Sequence, residues 1–194
     1  MSEDGHEPLL LTAAAGLLGA YCALERALFE LTGAAAADPE DSAAAAVLLA
    51  SWSIEHAWHA ELFADRLPVT AALEPGPLVE LPGPLSETFE RLAGARPLAR
   101  LAGLVRVVLP RLLLTYGRHL AATSPGVDGP VRRALTLVLR DEREEWEAGE
   151  ALLQGSFADE ATVGSVGQWA VDLERQLVRG GIGAGLVAWP GRRA

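Results

Sequence analysis

The 194-residue chain contains no lysine and no asparagine, one cysteine, one methionine and only two isoleucines, Ile54 and Ile182. A lone Cys22 excludes an intrachain disulfide and a cysteine-rich zinc site. With 35 alanines and 33 leucines, the balance favours helix formers over strand formers and excludes an all-β fold. All 16 basic residues are arginine, a bias that codon usage in a GC-rich genome explains. The net charge of −10 excludes a phosphate-coating surface, so no nucleic-acid partner is expected. Met1 to Pro8 carries Glu3, Asp4 and Glu7 where a signal peptide needs positive charge. The run from Leu9 to Leu24 is 16 residues, short of a membrane span, and Tyr21 stands where lipoprotein processing needs a small residue. The expectation is a cytoplasmic protein with no membrane partner, a single domain over residues 1–194.

What is present divides cleanly at prolines and glycines. A first helix is predicted from Leu9 to Leu31, with the Ala34–Ala37 stretch as its extension before Pro39. A second runs from Pro39 or Asp41 to Arg66. Pro68 to Pro97 then holds Pro75, Pro77, Pro82 and Pro84, which reads as a long crossover with one short helix at Ser86–Gly94, capped by Ser86 or Thr88. Leu98 to Ala122 is a third helix, kinked or split at Pro110. Val131 to Leu153 is the fourth, with Asp128 as its cap and Pro130 in its first turn. Beyond Gly155, Val163, Val166, Trp169, Ala170, Leu173 and Leu177 share one face of an amphipathic helix, and an apolar Gly-rich tail follows. Its GGIGAG run follows no strand and is no dinucleotide loop. The expected architecture is all-α: a four-helix bundle over about 9–154 with a crossover between helices 2 and 3, then a C-terminal helix and tail over 155–194.

Charged residues inside apolar stripes are the informative ones, because a buried charge without a partner is costly. On the first helix Leu10, Leu17, Tyr21, Leu24 and Leu28 set the inner face and Glu25 falls within it, while Arg26 and Glu30 point out. On the second, Val47, Leu48, Ile54, Trp58 and Leu62 set the face, which puts Glu55 and His59 near its middle and His56 and Glu61 at its flanks. On the fourth, Leu135, Val138, Leu139, Trp146 and Gly149 set the face, with Glu142 central and Asp141 and Glu145 beside it. The third helix offers Tyr116 at its centre and His119 at its edge but no inward carboxylate, and Arg106, Arg111 and Arg118 project away. Folding back at 124–128 leaves His119 and Glu142 about 15 Å apart along the axis, too far to share an ion.

One inward Glu on the first helix, a Glu and a His on the second and acids on the fourth resemble the ferritin-like di-metal carboxylate superfamily. That fold takes a Glu from each of two helices and a Glu-x-x-His pair from each of the other two. Here the second helix gives Glu55-x-x-x-His59, the third no carboxylate, and the fourth Glu142-x-x-Glu145. The resemblance implies a buried metal site of Glu25, Glu55, His59, Glu142 and Glu145, taking iron or manganese for an oxidase or hydroxylase reaction.

Two readings from the residues stand beside that one. A metal-free relative of the same fold would act as a binding or scaffold protein, a homodimer using Trp169 and Val187–Trp189 of the tail as its contact. A helical small-molecule-binding protein would use Trp58, Tyr116 and His119 as polar handles. Trp52, Trp58, Trp146 and Trp169 read as core residues in every case.

Overall fold

The computed structural model describes residues 11–69 and 78–190. Leu9, Leu10, His6 and the Pro75–Pro77 part of the crossover lie outside the described residues. Among the described residues the chain is all-helical: α1 (Leu11–Ala36), α2 (Ala43–Ala64), α3 (Gly83–Ala93), α4 (Pro97–Gly103), a π-helical turn (Leu104–Val108), α5 (Leu109–Ala122), α6 (Gly129–Gly155) and α7 (Glu160–Arg179). None of these helices is long and apolar enough to cross a membrane.

Local chemistry sets the boundaries. Ser42 caps α2 by accepting from the Ala45 amide (3.1 Å), so the helix starts after Pro39 and Asp41. Asp159 caps α7 through the Thr162 amide (2.7 Å). α3 starts at Gly83, ahead of the expected caps, with Pro84 in its first turn; Thr88 is inside it and donates to the Pro84 carbonyl (2.8 Å). Asp128 precedes α6 but spends its carboxylate on the Ser124 amide (2.7 Å), closing the α5–α6 loop. The third helical stretch breaks before Pro110 rather than at it. The π-helical turn re-phases the chain so that Pro110 falls in the first turn of α5, where no backbone N–H is needed.

Side-chain pairs show how the helices run. Ser53 donates to the Phe29 carbonyl (3.0 Å) and His56 meets Glu25, so α1 and α2 are an antiparallel hairpin. Trp52 faces Gly149, His56 faces Glu145 and His59 faces Glu142, so α2 and α6 are antiparallel. Val105 faces Gly149, Arg106 pairs with Glu150 (2.9 Å) and Arg132 reaches the Leu120 and Thr123 carbonyls, so α4–α5 and α6 are antiparallel too. α2 and α4–α5 therefore run the same way, and the chain between them must travel back along the whole of α2, about 33 Å at the helical rise. Arg100, buried, ties the start of the returning helix to the α1–α2 turn through Asp38 (2.8 Å) and Asp41 (2.7 Å).

Tyr21, Leu24, Leu28, Trp52, Phe63, Leu112, Tyr116, Leu135 and Val138 fill the centre. α7 seals α3 and α4 with Leu173 and Leu177, and Arg91 stacks 4.4 Å over Trp169. Arg111 does not project into solvent as expected; it is buried, bonded to Glu174 of α7 and to the Gly183 carbonyl. The tail likewise turns inward: Leu186 is buried, its amide donates to Thr115 Oγ1 (2.8 Å), and Trp189 lies 5.9 Å from the His119 ring. Those contacts engage the surface on which the dimer expectation rested.

Gly149 sets how closely α2 and α6 approach. A Cβ there would stand 2.7 Å from Trp52 Cη2 and 2.6 Å from Val105 Cγ2. Gly149→Ala is expected to destabilise the protein by about 1–3 kcal/mol through overpacking, read as a lower urea midpoint at unchanged slope.

Candidate metal centre

Three helices converge on one buried point. α1 contributes Glu25, α2 contributes His56 and His59 one turn apart on the same face, and α6 contributes Glu142 and Glu145, also one turn apart. α5 adds Tyr116, whose hydroxyl donates to Glu25 Oε1. All six side chains are buried. The helices present them because antiparallel packing of α2 on α6 brings the two i,i+3 pairs level, with Trp52 seated on Gly149 one turn further on.

Glu25, His56, His59 and Glu142 each offer a donor atom, and these lie within 4.8 Å of one another. His56 Nδ1 is 2.7 Å from Glu25 Oε2 and 3.6 Å from Glu142 Oε1; His59 Nδ1 is 3.6 Å and 3.3 Å from the same two oxygens. Donors about 2.1 Å from one ion sit about 3.0 Å apart at right angles and about 4.2 Å apart across it, so the separations suit a single cation. The other face of each imidazole points elsewhere. His56 Nε2 is 3.4 Å from Glu145 Oε2, and His59 Nε2 is 3.4 Å from Asp141 Oδ2.

The polar atoms are badly under-satisfied. Both oxygens of Glu142, both of Glu145, His56 Nε2 and His59 Nδ1 are buried without a hydrogen-bond partner. Leaving such groups unpaired costs roughly 1–3 kcal/mol each, more where charged. Their proton affinities record the strain. Burial pushes the Glu25 carboxyl up, but His56 and His59 outweigh it and hold it down to about 2. Burial pushes His59 down, but Glu142 and Glu25 lift it to about 11. Burial and the Glu25 charge raise Glu142; burial, Glu142 and Glu55 raise Glu145 well above the usual carboxylate range. Tyr116 is raised by burial and by Glu25, so it stays a donor.

The structure brings Glu25, His59, Glu142 and Glu145 together, as the sequence reading expected. Glu55 is not in the middle of the inner face: it is half-buried on the flank, accepting from Ser51 (3.4 Å), and it raises the proton affinity of Glu145. The residue in its place is His56, which the sequence reading put at the flank. The inner face of α2 is Leu49, Trp52, Ser53, His56, His59, Ala60 and Phe63, whereas Val47 and Ile54 are 73% exposed and Trp58 is 42% exposed. Trp146, expected inside, is 38% exposed on α6. The signal for His56 was its spacing: His56-x-x-His59 is in phase with Trp52, Phe63 and the small Ser53.

His119 stays outside the centre, as the height argument required. It sits against Tyr21 (5.6 Å) and Trp189, and burial lowers it to about 4. Trp58 is on the solvent side of α2, while Tyr116 is buried on Glu25. Two surface cavities lie away from the centre, one of about 570 Å³ between α3 and α7 and one of about 450 Å³ at the start of α6.

No family model matches this chain, nor does any curated protein or solved structure.

Proposed function

We propose that the chain is a ferritin-like four-helix protein whose buried Glu/His centre binds divalent iron or manganese for oxygen-dependent oxidation or hydroxylation. The observation that carries this reading is the set of donor atoms on Glu25, His56, His59 and Glu142 within 4.8 Å of one another, among them both Glu142 oxygens and His59 Nδ1, buried without a partner. A divalent cation satisfies them together, and a mixed carboxylate–imidazole set suits iron and manganese better than the softer ions. The helix directions support the same reading, since two antiparallel hairpins joined by a returning crossover are the ferritin-like arrangement.

Glu25, His56, His59 and Glu142 would hold the ion, with Glu145 next to His56. When bound, the metal supplies a Lewis-acidic, redox-active position for dioxygen. The chain's own residues prepare it. Tyr116 fixes Glu25 through Oε1, leaving Oε2 beside His56 Nδ1, and Glu145 orients His56 through its far nitrogen, Nε2. Asp141 does the same for His59 through Nε2. Tyr21, Phe63 and Trp52 close the inner side against water.

The direct check is metal content by elemental mass spectrometry after incubation of untagged protein with ferrous iron or manganese. Wild type is expected to retain one or two equivalents and His56→Ala/His59→Ala none. Retention by the double variant would refute the site. No metal in folded wild type would favour the metal-free scaffold, which the bonds already closing on Glu25 from Tyr116 and His56 make physically coherent.

A further inference from the structure

The metal centre is walled on one side and polar on the other. Toward α1 and α5 it meets Tyr21, Leu24, Leu28, Trp52, Phe63 and Tyr116, each 2% exposed or less, a mostly apolar lining. Toward the seam between α2 and α6 each imidazole turns its second nitrogen outward onto an acid. His56 Nε2 meets Glu145, and the half-buried Glu55, next to His56 on α2, is bonded to Ser51 at the surface and raises the proton affinity of Glu145. His59 Nε2 meets Asp141, whose other oxygen is held by the Arg140 guanidinium (2.8 Å), so that branch is already paired with a cation. From solvent to the centre, then, the groups that no arginine holds are Glu55 at the rim, Glu145 beneath it and His56 at the bottom.

An acidic rim alone implies nothing, since exposed carboxylates are common. Here it leads onto atoms that need a cation: both Glu145 oxygens and His56 Nε2 are buried and have no partner. We infer that the α2–α6 seam is the route by which a divalent cation reaches the centre, with Glu55 as its outer staging carboxylate and Glu145 as its inner one. The inference rests on the metal-binding reading above and adds direction and residues to it. Two carboxylates along a seam walled by helices concentrate field lines and accelerate cation capture without adding to the final ligand set. Dehydration of the ion proceeds in steps, with carboxylate oxygens replacing waters before the imidazoles are met.

The test uses cobalt(II) as the probe, because its visible absorption reports ligation, and follows loading of the full chain in a stopped-flow instrument. Glu55→Gln is expected to slow loading and Glu55→Arg to slow it by about tenfold, with the final cobalt stoichiometry equal to wild type. Raising the salt concentration should slow wild type more than Glu55→Gln. Glu87→Gln, which removes an acid between α3 and α7 far from the seam, should load at the wild-type rate. Wild-type kinetics in Glu55→Arg would overturn the route, as would equal slowing in Glu87→Gln, which would assign the effect to net charge. A loss of bound cobalt in Glu55→Gln would make Glu55 a ligand and also overturn it. Absence of cobalt uptake by wild type would instead strike the metal-binding reading itself and remove the route with it.

Discussion

Saturation with manganese or ferrous iron under anaerobic conditions should raise the Tm of this protein by roughly 8–16 °C and leave His56→Ala/His59→Ala unmoved. A ligand at a thousand times its Kd stabilises the folded state by about 4.1 kcal/mol. A domain of this length shifts by about 2–4 °C per kcal/mol. The effect arises because the metal-free centre stores unfavourable energy. Glu25, Glu142 and Glu145 gather three carboxyl groups around two imidazoles, and only Glu25 has both oxygens satisfied. A cation binds the folded arrangement and has no comparable site in the unfolded chain, so its binding energy appears as folding energy. A chelator should return Tm to its starting value. Equal shifts in wild type and the double variant would place the ion elsewhere, on the acidic surface.

Much of this was legible in the amino-acid sequence, and what was not has identifiable causes. α1 is buried nearly all round between Leu17 and Glu25, so the phase set by Leu17, Tyr21, Leu24 and Leu28 was enough to bury Glu25. α6 read well enough to bury Glu142, since a run of outward charges, Arg140, Arg143 and Glu147, left little choice. α2 misled because its apolar residues go almost all the way round. Val47, Ile54 and Trp58 form a self-consistent stripe, yet that stripe faces solvent. The face that packs is defined by Leu49, Trp52 and Phe63 and by small residues, Ala45, Ser53 and Ala60, that let α1 approach. Choosing between the two stripes required knowing that Gly149 on a distant helix receives Trp52, a pairing no single-helix pattern contains. The one-residue error exchanged Glu55 for His56 and turned Glu-x-x-x-His into His-x-x-His.

The breaks behave similarly. Prolines told where helices must yield but not how: Pro110 shifted the fault upstream into a π-helical turn, which the pattern of apolar residues does not distinguish from a kink. The tail buries Leu186 in its own chain and leaves Val187 and Trp189 half-buried. Thr115, Arg111 and His119 of α5 each take a tail partner, an assignment that depends on α7 returning the chain to that helix.

Glu145→Gln should make the metal-free protein more stable at pH 7, by an amount on the order of 1–3 kcal/mol, while weakening metal retention. His56 Nε2, 3.4 Å from Glu145 Oε2, keeps the amide oxygen as a partner, while the repulsion of Glu142 and Glu55, which both raise the proton affinity of Glu145, is removed. The amide brings an N–H donor to oxygens of Glu142 that have no partner. The same reasoning fixes the pH profile of metal-free wild type. Glu142 and Glu145 bind their protons more tightly folded than unfolded, so they favour folding below the ordinary carboxyl value of 4.5 and lose that contribution as pH rises above it. Glu25, held down to about 2, contributes fully above 4.5 and loses its contribution as pH falls from 4.5 toward 2. His59, lifted to about 11, contributes below 6.5 and loses its contribution between 6.5 and 11. The net expectation is a stability maximum in mildly acidic solution and a steady decline through neutral and alkaline pH. The decline should be shallower in Glu145→Gln and absent up to pH 8 in the metal-loaded protein, where the cation replaces the protons. Urea midpoints measured from pH 4.5 to 9, with and without manganese, decide the matter: a metal-free midpoint that rises toward neutrality would mean that the carboxyls of α6 are not held together as a charged group around His56 and His59.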